Sequence, residues 1–89
     1  MAIDPFASTV DSPTAPASYC FAVVPHDLND VPRVTKALYV GQGGDIALRS
    51  VDGDSDVNFV DVPAGMVLDV RVIAVRATGT TAGNIVGLA

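Results

Sequence analysis

The chain has 89 residues and a net charge of −5, and its five basic residues are scattered. This length predicts a single domain, and the scattered basic residues argue against binding to nucleic acid or to an anionic membrane surface. No apolar run approaches the roughly 18 residues of a membrane-spanning helix. The N-terminus has no basic region followed by an apolar core, so no secretory signal is expected. The single cysteine, Cys20, excludes a disulfide within the chain and is expected to be a small buried apolar residue.

The composition favours β-structure. Apolar residues make up 49% of the chain, and all ten acidic residues are Asp, which prefers turns and helix caps to helix interiors. Eight glycines and six prolines interrupt the sequence at short intervals. A domain of this size buries only about 60–65% of the surface that its unfolded chain exposes. We therefore expect modest stability, which oligomerisation would increase.

The first 18 residues differ in composition from the rest and predict an extended N-terminal arm over residues 1–18. Proline fixes its own φ and pushes the preceding residue toward an extended conformation, so Pro13 and Pro16 favour an extended chain. In a monomer the arm would be a frayed terminus. In an assembly, apolar residues such as Ile3 and Phe6 could anchor it on a neighbouring protein. Residues 19–89 form the predicted β-sandwich domain.

The domain divides into short apolar or alternating segments separated by turn signals, which are typical of strands. Six strands are predicted, at residues 19–24, 34–40, 45–51, 57–62, 67–78 and 84–88. The longest of them, 67–78, is expected to be the central strand, and the glycines of 41–44 are expected to form a tight reversal. Strands of this length and spacing predict an all-β fold. The expected architecture is a small two-layer β-sandwich with jelly-roll-like or Greek-key wiring, and a six-stranded barrel is the alternative.

The candidate chemical motifs are incomplete. The acidic segment 52–56 alternates Asp as a calcium loop does, but it lacks the central glycine and the closing glutamate, so an acidic turn is predicted. The glycine-rich segment 41–45 precedes a strand instead of the helix that a phosphate-binding loop needs. His26 and Cys20 are the single residues of their types and cannot assemble an ordinary zinc site. We predict no metal, no cofactor and no enzyme activity.

Three stretches of the sequence are familiar together: D-S-P-T-A-P-A at 11–17, V-T-K-A-L-Y-V-G-Q-G-G-D at 34–45, and R-A-T-G-T-T-A-G-N-I-V-G-L at 76–88. With them the chain resembles the head spike base protein family of gene transfer agents and related tailed phages. The resemblance covers nearly the full length from Asp11.

The resemblance implies a structural virion protein that is made in the bacterial cytoplasm and lies on the exterior of the head. Such proteins form a ring, here expected to be a pentamer, on the major capsid protein at five-fold vertices, and they carry a spike fibre that binds the receptor. The family motif residues would then be architectural. They lie around Lys36, Tyr39, Gly43, Gly44, Thr78 to Thr81 and Asn84.

Candidate interface residues follow from these expectations. Besides the arm residues Ile3, Phe6, Pro13 and Pro16, they are Gly43, Gly44 and Asp54, in turns expected at the ends of the sandwich. An alternative function is a small glycan-binding module that itself recognises the host cell surface. This alternative is weakened because the chain has no Trp, and only Tyr19 and Tyr39 could stack on a sugar.

Overall fold

The computed structural model describes residues 3–5, 11–12 and 14–89. In that part of the chain the regular structure is all β, without helices, and therefore without a helix that could cross a membrane. The strands are β1 (Cys20–Ala22), β2 (Ala37–Gln42), β3 (Gly44–Ser50), β4 (Val57–Val62), β5 (Met66–Leu68), β6 (Val72–Arg76) and β7 (Gly83–Leu88).

The strands form two antiparallel sheets. Sheet A has the strand order β1-β7-β2-β5, and sheet B has the order β4-β3-β6. From β4 onward, successive strands alternate between the sheets, as they do in jelly-roll-like wiring, one of the two forms that the sequence left open. The two-layer sandwich is confirmed. The barrel alternative is not observed, because the strands pair in two separate sheets.

The core lies between the two sheets and follows the predicted alternation. Leu38 and Val40 on β2 and Ile46 and Leu48 on β3 are at most 2% exposed. Because successive side chains on a strand point to opposite faces, β2 and β3 each direct every second one of these residues into the core. Complete burial of one such side chain contributes about 1.5–3 kcal/mol.

The prediction of one central strand over 67–78 is wrong. β5 ends at Leu68 in sheet A, and β6 begins at Val72 in sheet B. The Val70 N–H donates to the Leu68 carbonyl (2.9 Å), a bond between residues two apart that bends the backbone sharply. The buried Thr35 hydroxyl accepts from the Val72 N–H (3.0 Å) and donates to the Val70 carbonyl (3.3 Å). A residue distant in sequence therefore satisfies the backbone at the bend between the two sheets.

The predicted tight reversal at 41–44 is not a hairpin either. β2 belongs to sheet A and β3 to sheet B, so the chain crosses between layers at this point. The reason is that β2 already pairs with β7 on one edge and with β5 on the other. A strand has only two hydrogen-bonding edges, so β3 has to pair elsewhere, and it becomes the centre of sheet B.

The first strand is shorter than predicted, and its cysteine is not buried. β1 spans only Cys20–Ala22, at the edge of sheet A, and Cys20 is exposed. Its pairing with Leu88 places it on the sheet face that points away from the core. The expectation of a buried Cys20 is therefore wrong, because a continuous apolar run does not reveal which face of its strand is covered.

The second edge of β6 is covered by the connection between β1 and β2. Three backbone N–H groups of this connection donate to β6 carbonyls: His26 to Val75 (2.9 Å), Val31 to Ile73 (2.9 Å) and Thr35 to Val72 (3.1 Å). Covering an edge in this way prevents a further strand from pairing there. By contrast, β4 is an edge strand of sheet B that carries the exposed side chains of Val57 and Val60.

Candidate functional site

Lys36 anchors the arm on the sandwich. Its ammonium donates to the Asp11 carboxylate (2.5 Å) and to the carbonyls of Ala15 (3.3 Å) and Pro16 (3.2 Å). An ammonium has three donors, so these partners saturate it. The Lys36 side chain is 13% exposed, whereas that of Asp11 is 74% exposed. The hydrogen bond from Lys36 lowers the pKa of the Asp11 carboxyl below its ordinary value. The second part of the arm therefore lies against its own domain.

Beside the Lys36 anchor, backbone hydrogen bonds connect Ala89 with Ser18 and Tyr19, where the arm meets the domain. The Ser18 N–H donates to the Ala89 carbonyl (3.2 Å), and the Ala89 N–H donates to the Tyr19 carbonyl (2.7 Å). The Lys36 N–H donates to the Leu88 carbonyl (2.6 Å). These bonds extend the pairing of sheet A beyond its strands and hold the arm, β2 and β7 together.

At the opposite end of β2, the two other stretches that carry the resemblance meet. The Asp45 carbonyl accepts from the N–H groups of Thr81 (2.8 Å) and Ala82 (3.1 Å), and the Asp45 N–H donates to the Thr81 hydroxyl (2.9 Å). The Ala47 N–H donates to the Thr80 hydroxyl (2.9 Å). The two threonines therefore take the place of a strand partner at the start of β3. We call this contact the glycine–threonine junction, formed by residues 41–45 and 78–84.

The glycines of this junction are required by close backbone contact. A Cβ at Gly44 would lie 2.7 Å from both the Ala82 nitrogen and the Thr81 hydroxyl oxygen. A Cβ at Gly43 would lie 2.8 Å from the Val62 carbonyl oxygen. Both distances are too short for a side chain, so these two predicted interface residues are packed against their own chain. Their contact with a partner stays a prediction.

The outer face of sheet A is apolar. The register aligns Ala22, Val86, Tyr39 and Val67 in one row across all four strands. A second row contains Cys20, Leu88 and Ala37. These seven side chains carry no formal charge, and Tyr39 and Val67 are 40% and 53% exposed. Contiguous exposed apolar surface is typical of interaction sites. Sequence alternation indicated two faces for each strand, but the row across four strands follows only from the register.

The acidic turn is held by arginines and does not form a cation cage. Arg49 donates to the Asp54 carbonyl (3.0 Å), while the Asp56 carboxylate lies 3.6 Å from Arg49 Nε and 3.3 Å from Arg76 Nε. No cluster of three His, Cys, Asp or Glu side chains that could hold a metal occurs among residues 3–5, 11–12 and 14–89. Asp56 thus bridges the turn to β3 and β6, and the Asp54 side chain remains exposed for the predicted partner contact.

The histidine loop, residues 26–29, is stabilised by local hydrogen bonds. His26 Nδ1 accepts from the N–H groups of Leu28 and Asn29, each at 3.0 Å. The neighbouring Asp27 carboxylate accepts from the Thr78 N–H and hydroxyl, each at 2.8 Å. The pKa of the Asp27 carboxyl is lowered. The largest cause is the hydrogen bond from the Thr78 N–H, and the next is the hydrogen bond from the Thr78 hydroxyl. Asp27 therefore connects this loop to the glycine–threonine junction.

The remaining predicted interface residues belong to the arm. Ile3 is 91% exposed, and Pro16 uses its carbonyl in the Lys36 anchor. Phe6 and Pro13 lie outside the described residues. Thr35 was missed in the sequence, because a threonine within a predicted strand gives no sign that its hydroxyl is buried at a bend elsewhere in the chain.

Together these features define a small all-β sandwich with an anchored arm and an apolar outer sheet face. No protein-family model and no curated protein matches the chain. Among solved structures, it is similar to a chain of the capsid of a native GTA (gene transfer agent) particle, a structure computed with C5 symmetry. The TM-score is 0.86 and the sequence identity 39%, over 98% of this chain and 100% of that chain.

The chain therefore belongs to the same family as this component of a gene transfer agent capsid. The resemblance noted in the sequence is confirmed at that level.

Proposed function

We propose that the chain is a structural virion protein that forms the base of a head spike. In this proposal a ring of subunits, expected to be a pentamer, lies on the major capsid protein at the five-fold vertices. The ring lies on the exterior of the head and carries a receptor-binding fibre. The observation that carries the proposal is the full-length similarity to a capsid chain in a C5-symmetric structure. A fivefold axis is where a closed ring of five identical subunits fits.

The outer face of sheet A supports an assembled state. An apolar face that spans four strands costs solvation free energy in an isolated subunit and gains it when another protein covers the face. A domain of this size has little stability of its own to offset that cost. We assign this face to a contact within the ring or with the capsid.

The arm supports a second contact. Lys36 binds Asp11, Ala15 and Pro16 of the arm, whereas Ile3, nearer the N-terminus, is 91% exposed. An exposed apolar residue that precedes an anchored segment suits a connection that reaches from one subunit to its neighbour or to the capsid. In this arrangement the sheet crossing at Gly43 and Gly44 and the acidic turn at Asp54 are the candidate contacts for the fibre or the capsid.

Particle imaging tests the proposal. A producer strain that lacks the protein is complemented with the wild-type chain or with Val67→Lys, which places a charge on the outer face of sheet A. Leu28→Lys is the matched control, because Leu28 is an exposed apolar residue in the histidine loop. We expect external density at the five-fold vertices with the wild type and with Leu28→Lys, and its loss with Val67→Lys. Density inside the head or on the tail would contradict the proposed function.

Deletion of residues 1–18 tests the arm separately. We expect the truncated domain to fold, as judged by its thermal unfolding, but not to be incorporated into particles. Normal incorporation of the truncated chain would contradict the docking role of the arm. The mass of the purified protein in solution, compared with its copy number on particles, shows whether the ring forms before or during attachment.

A further inference from the structure

Three of the five basic side chains converge on one open pocket beside the arm anchor. The pocket has a volume of about 310 Å³, and Arg33, Lys36 and Arg71 contribute to its walls. Asp11 is the one acidic side chain in its lining. In a chain with a net charge of −5, this concentration of cations creates a local positive site on a negative molecule.

Two of these cations, Arg33 and Arg71, form none of the close ion pairs seen in the described part of the chain, although the charge of Arg33 helps to lower the pKa of Asp11. Ion pairs there involve Lys36 with Asp11, and Arg49 and Arg76 with Asp56. The Arg33 guanidinium instead lies 4.4 Å from the centre of the Tyr19 ring, which holds it over the aromatic face. The ring orients the guanidinium without neutralising its charge. Arg33 and Arg71 are therefore available to an anionic ligand.

The arm shows what kind of anion this surface accepts. One carboxylate, that of Asp11, already lies on Lys36, and the same ammonium binds the main-chain carbonyls of Ala15 and Pro16. The surface thus combines carboxylate recognition with recognition of main-chain carbonyls, here next to a turn in which the Ala15 N–H donates to the Ser12 carbonyl (3.0 Å). A guanidinium presents its donors in a planar fork that matches a carboxylate.

A sugar fits the site less well. Tyr19 is the aromatic residue beside the pocket, but Arg33 lies over its ring, and Phe21 packs near it with a centroid distance of 5.6 Å. Although Tyr19 is 43% exposed, the Arg33 guanidinium already occupies one face of its ring, which leaves less of the ring for a stacked sugar. Tyr39, the other tyrosine, is in β2 on the outer face of sheet A.

We propose that this pocket binds an acidic peptide segment of a partner protein, with its carboxylates on Arg33 and Arg71. The inference deepens the proposed function, since it names the chemistry of one contact in the particle. The inference rests on the proposed function only because both require that the chain binds another protein. The bound partner segment would lie beside the arm residues that line the pocket, Asp11 and Ser12.

The test uses the full-length chain and a short, end-blocked poly-glutamate peptide, followed by NMR of the backbone amides. We expect shifts at Arg33, Lys36, Arg71 and their neighbours, and none with the matched poly-glutamine peptide. Arg71→Gln weakens binding by about fivefold, and the double variant Arg33→Gln/Arg71→Gln by roughly tenfold or more. Gln42→Glu is the control, because it lowers the net charge by the same amount as Arg71→Gln but lies at the opposite end of β2. It is expected to leave the pocket shifts in place.

Three results would overturn the inference. They are the absence of shifts with poly-glutamate, shifts that the two arginine variants do not reduce, and tighter binding of a hyaluronate oligosaccharide than of the peptide. The last result would identify a glycan site. Because no particle is involved, failure here leaves the vertex imaging unaffected, and failure of the imaging leaves the peptide titration unaffected.

Discussion

The ammonium of Lys36 contacts the carboxylate of Asp11, a residue 25 positions earlier in the chain, at 2.5 Å. The same ammonium also binds the carbonyls of Ala15 and Pro16. One lysine immediately before β2 therefore holds the arm through three polar contacts. Because Asp11 is largely exposed, this attachment can open without unfolding the domain.

Replacement of Lys36 by Met is expected to release the arm while the sandwich stays folded. Methionine keeps much of the apolar stem but cannot donate to Asp11, Ala15 or Pro16. We expect proteolytic cleavage within residues 11–18 to accelerate by roughly tenfold, since cleavage follows the population of the open form. Thr14→Ala is the control, because it removes only an exposed hydroxyl contact with Ser12. Equal cleavage rates in the wild type and Lys36→Met would show that Lys36 does not hold the arm.

Acid is expected to release the arm in the same way. The pKa of Asp11 is lowered from 3.8 in the folded chain, first by the hydrogen bond from Lys36. A carboxyl with a lowered pKa contributes stability above its unfolded pKa and loses it as the pH falls through the folded value. Arm docking, followed by the amide signals of Ala15 and Ser18, should therefore persist at pH 5 and weaken below about pH 3.8. In Asp11→Asn this pH dependence should disappear, and its persistence would assign the effect to another group.

Thr35→Val is expected to destabilise the domain although it preserves the shape of the side chain. The variant leaves the buried Val72 N–H without the hydroxyl that accepts its hydrogen bond at 3.0 Å. An unsatisfied buried donor costs about 1–3 kcal/mol, which chemical denaturation can measure as a lower free energy of unfolding. Thr14→Val, at an exposed position, should change it by less than about 0.5 kcal/mol. Equal effects of the two variants would contradict the role of Thr35 at the bend.

Gly44→Ala tests the glycine–threonine junction. Its Cβ would lie 2.7 Å from the backbone nitrogen of Ala82, so the backbone of the junction has to move. We expect a loss of about 3 kcal/mol in the free energy of unfolding. Gly65→Ala is the comparison, because its Cβ meets open space and its cost, about 1 kcal/mol, comes from a φ of +81° alone. A smaller loss for Gly44→Ala than for Gly65→Ala would show that the junction is not tightly packed.

Much of the fold could be predicted from local sequence patterns. Alternation placed Leu38, Val40, Ile46 and Leu48 on the buried faces of their strands, and the acidic segment 52–56 was identified as a turn. These features depend on residues close together in the chain. Burial of alternate apolar side chains has the same physical cause in any sheet, so the pattern is readable without the structure.

The candidate site could be predicted only in part. The familiar stretches pointed to Lys36 and to the glycines 43 and 44, but they did not show that Lys36 binds the arm or that Gly44 packs on Thr81. The cationic pocket was not predicted, because Arg33 and Arg71 are scattered in the sequence. The segment 67–78 was wrongly predicted to be one strand, because its alternating pattern gives no sign of the bend at Val70.

By itself the sequence determined a small all-β domain with an unusual leading segment, and which side chains of β2 and β3 would be buried. Tertiary structure decided which sheet each strand joined. Each strand has only two hydrogen-bonding edges, and the pairing of β2 with β7 and β5 leaves no edge of β2 for β3, which pairs with β4 and β6 in the second layer. The hydroxyl of Thr35 then satisfied the bend that this division requires. Such choices depend on which distant segments compete for the same edge, and no local pattern carries that information.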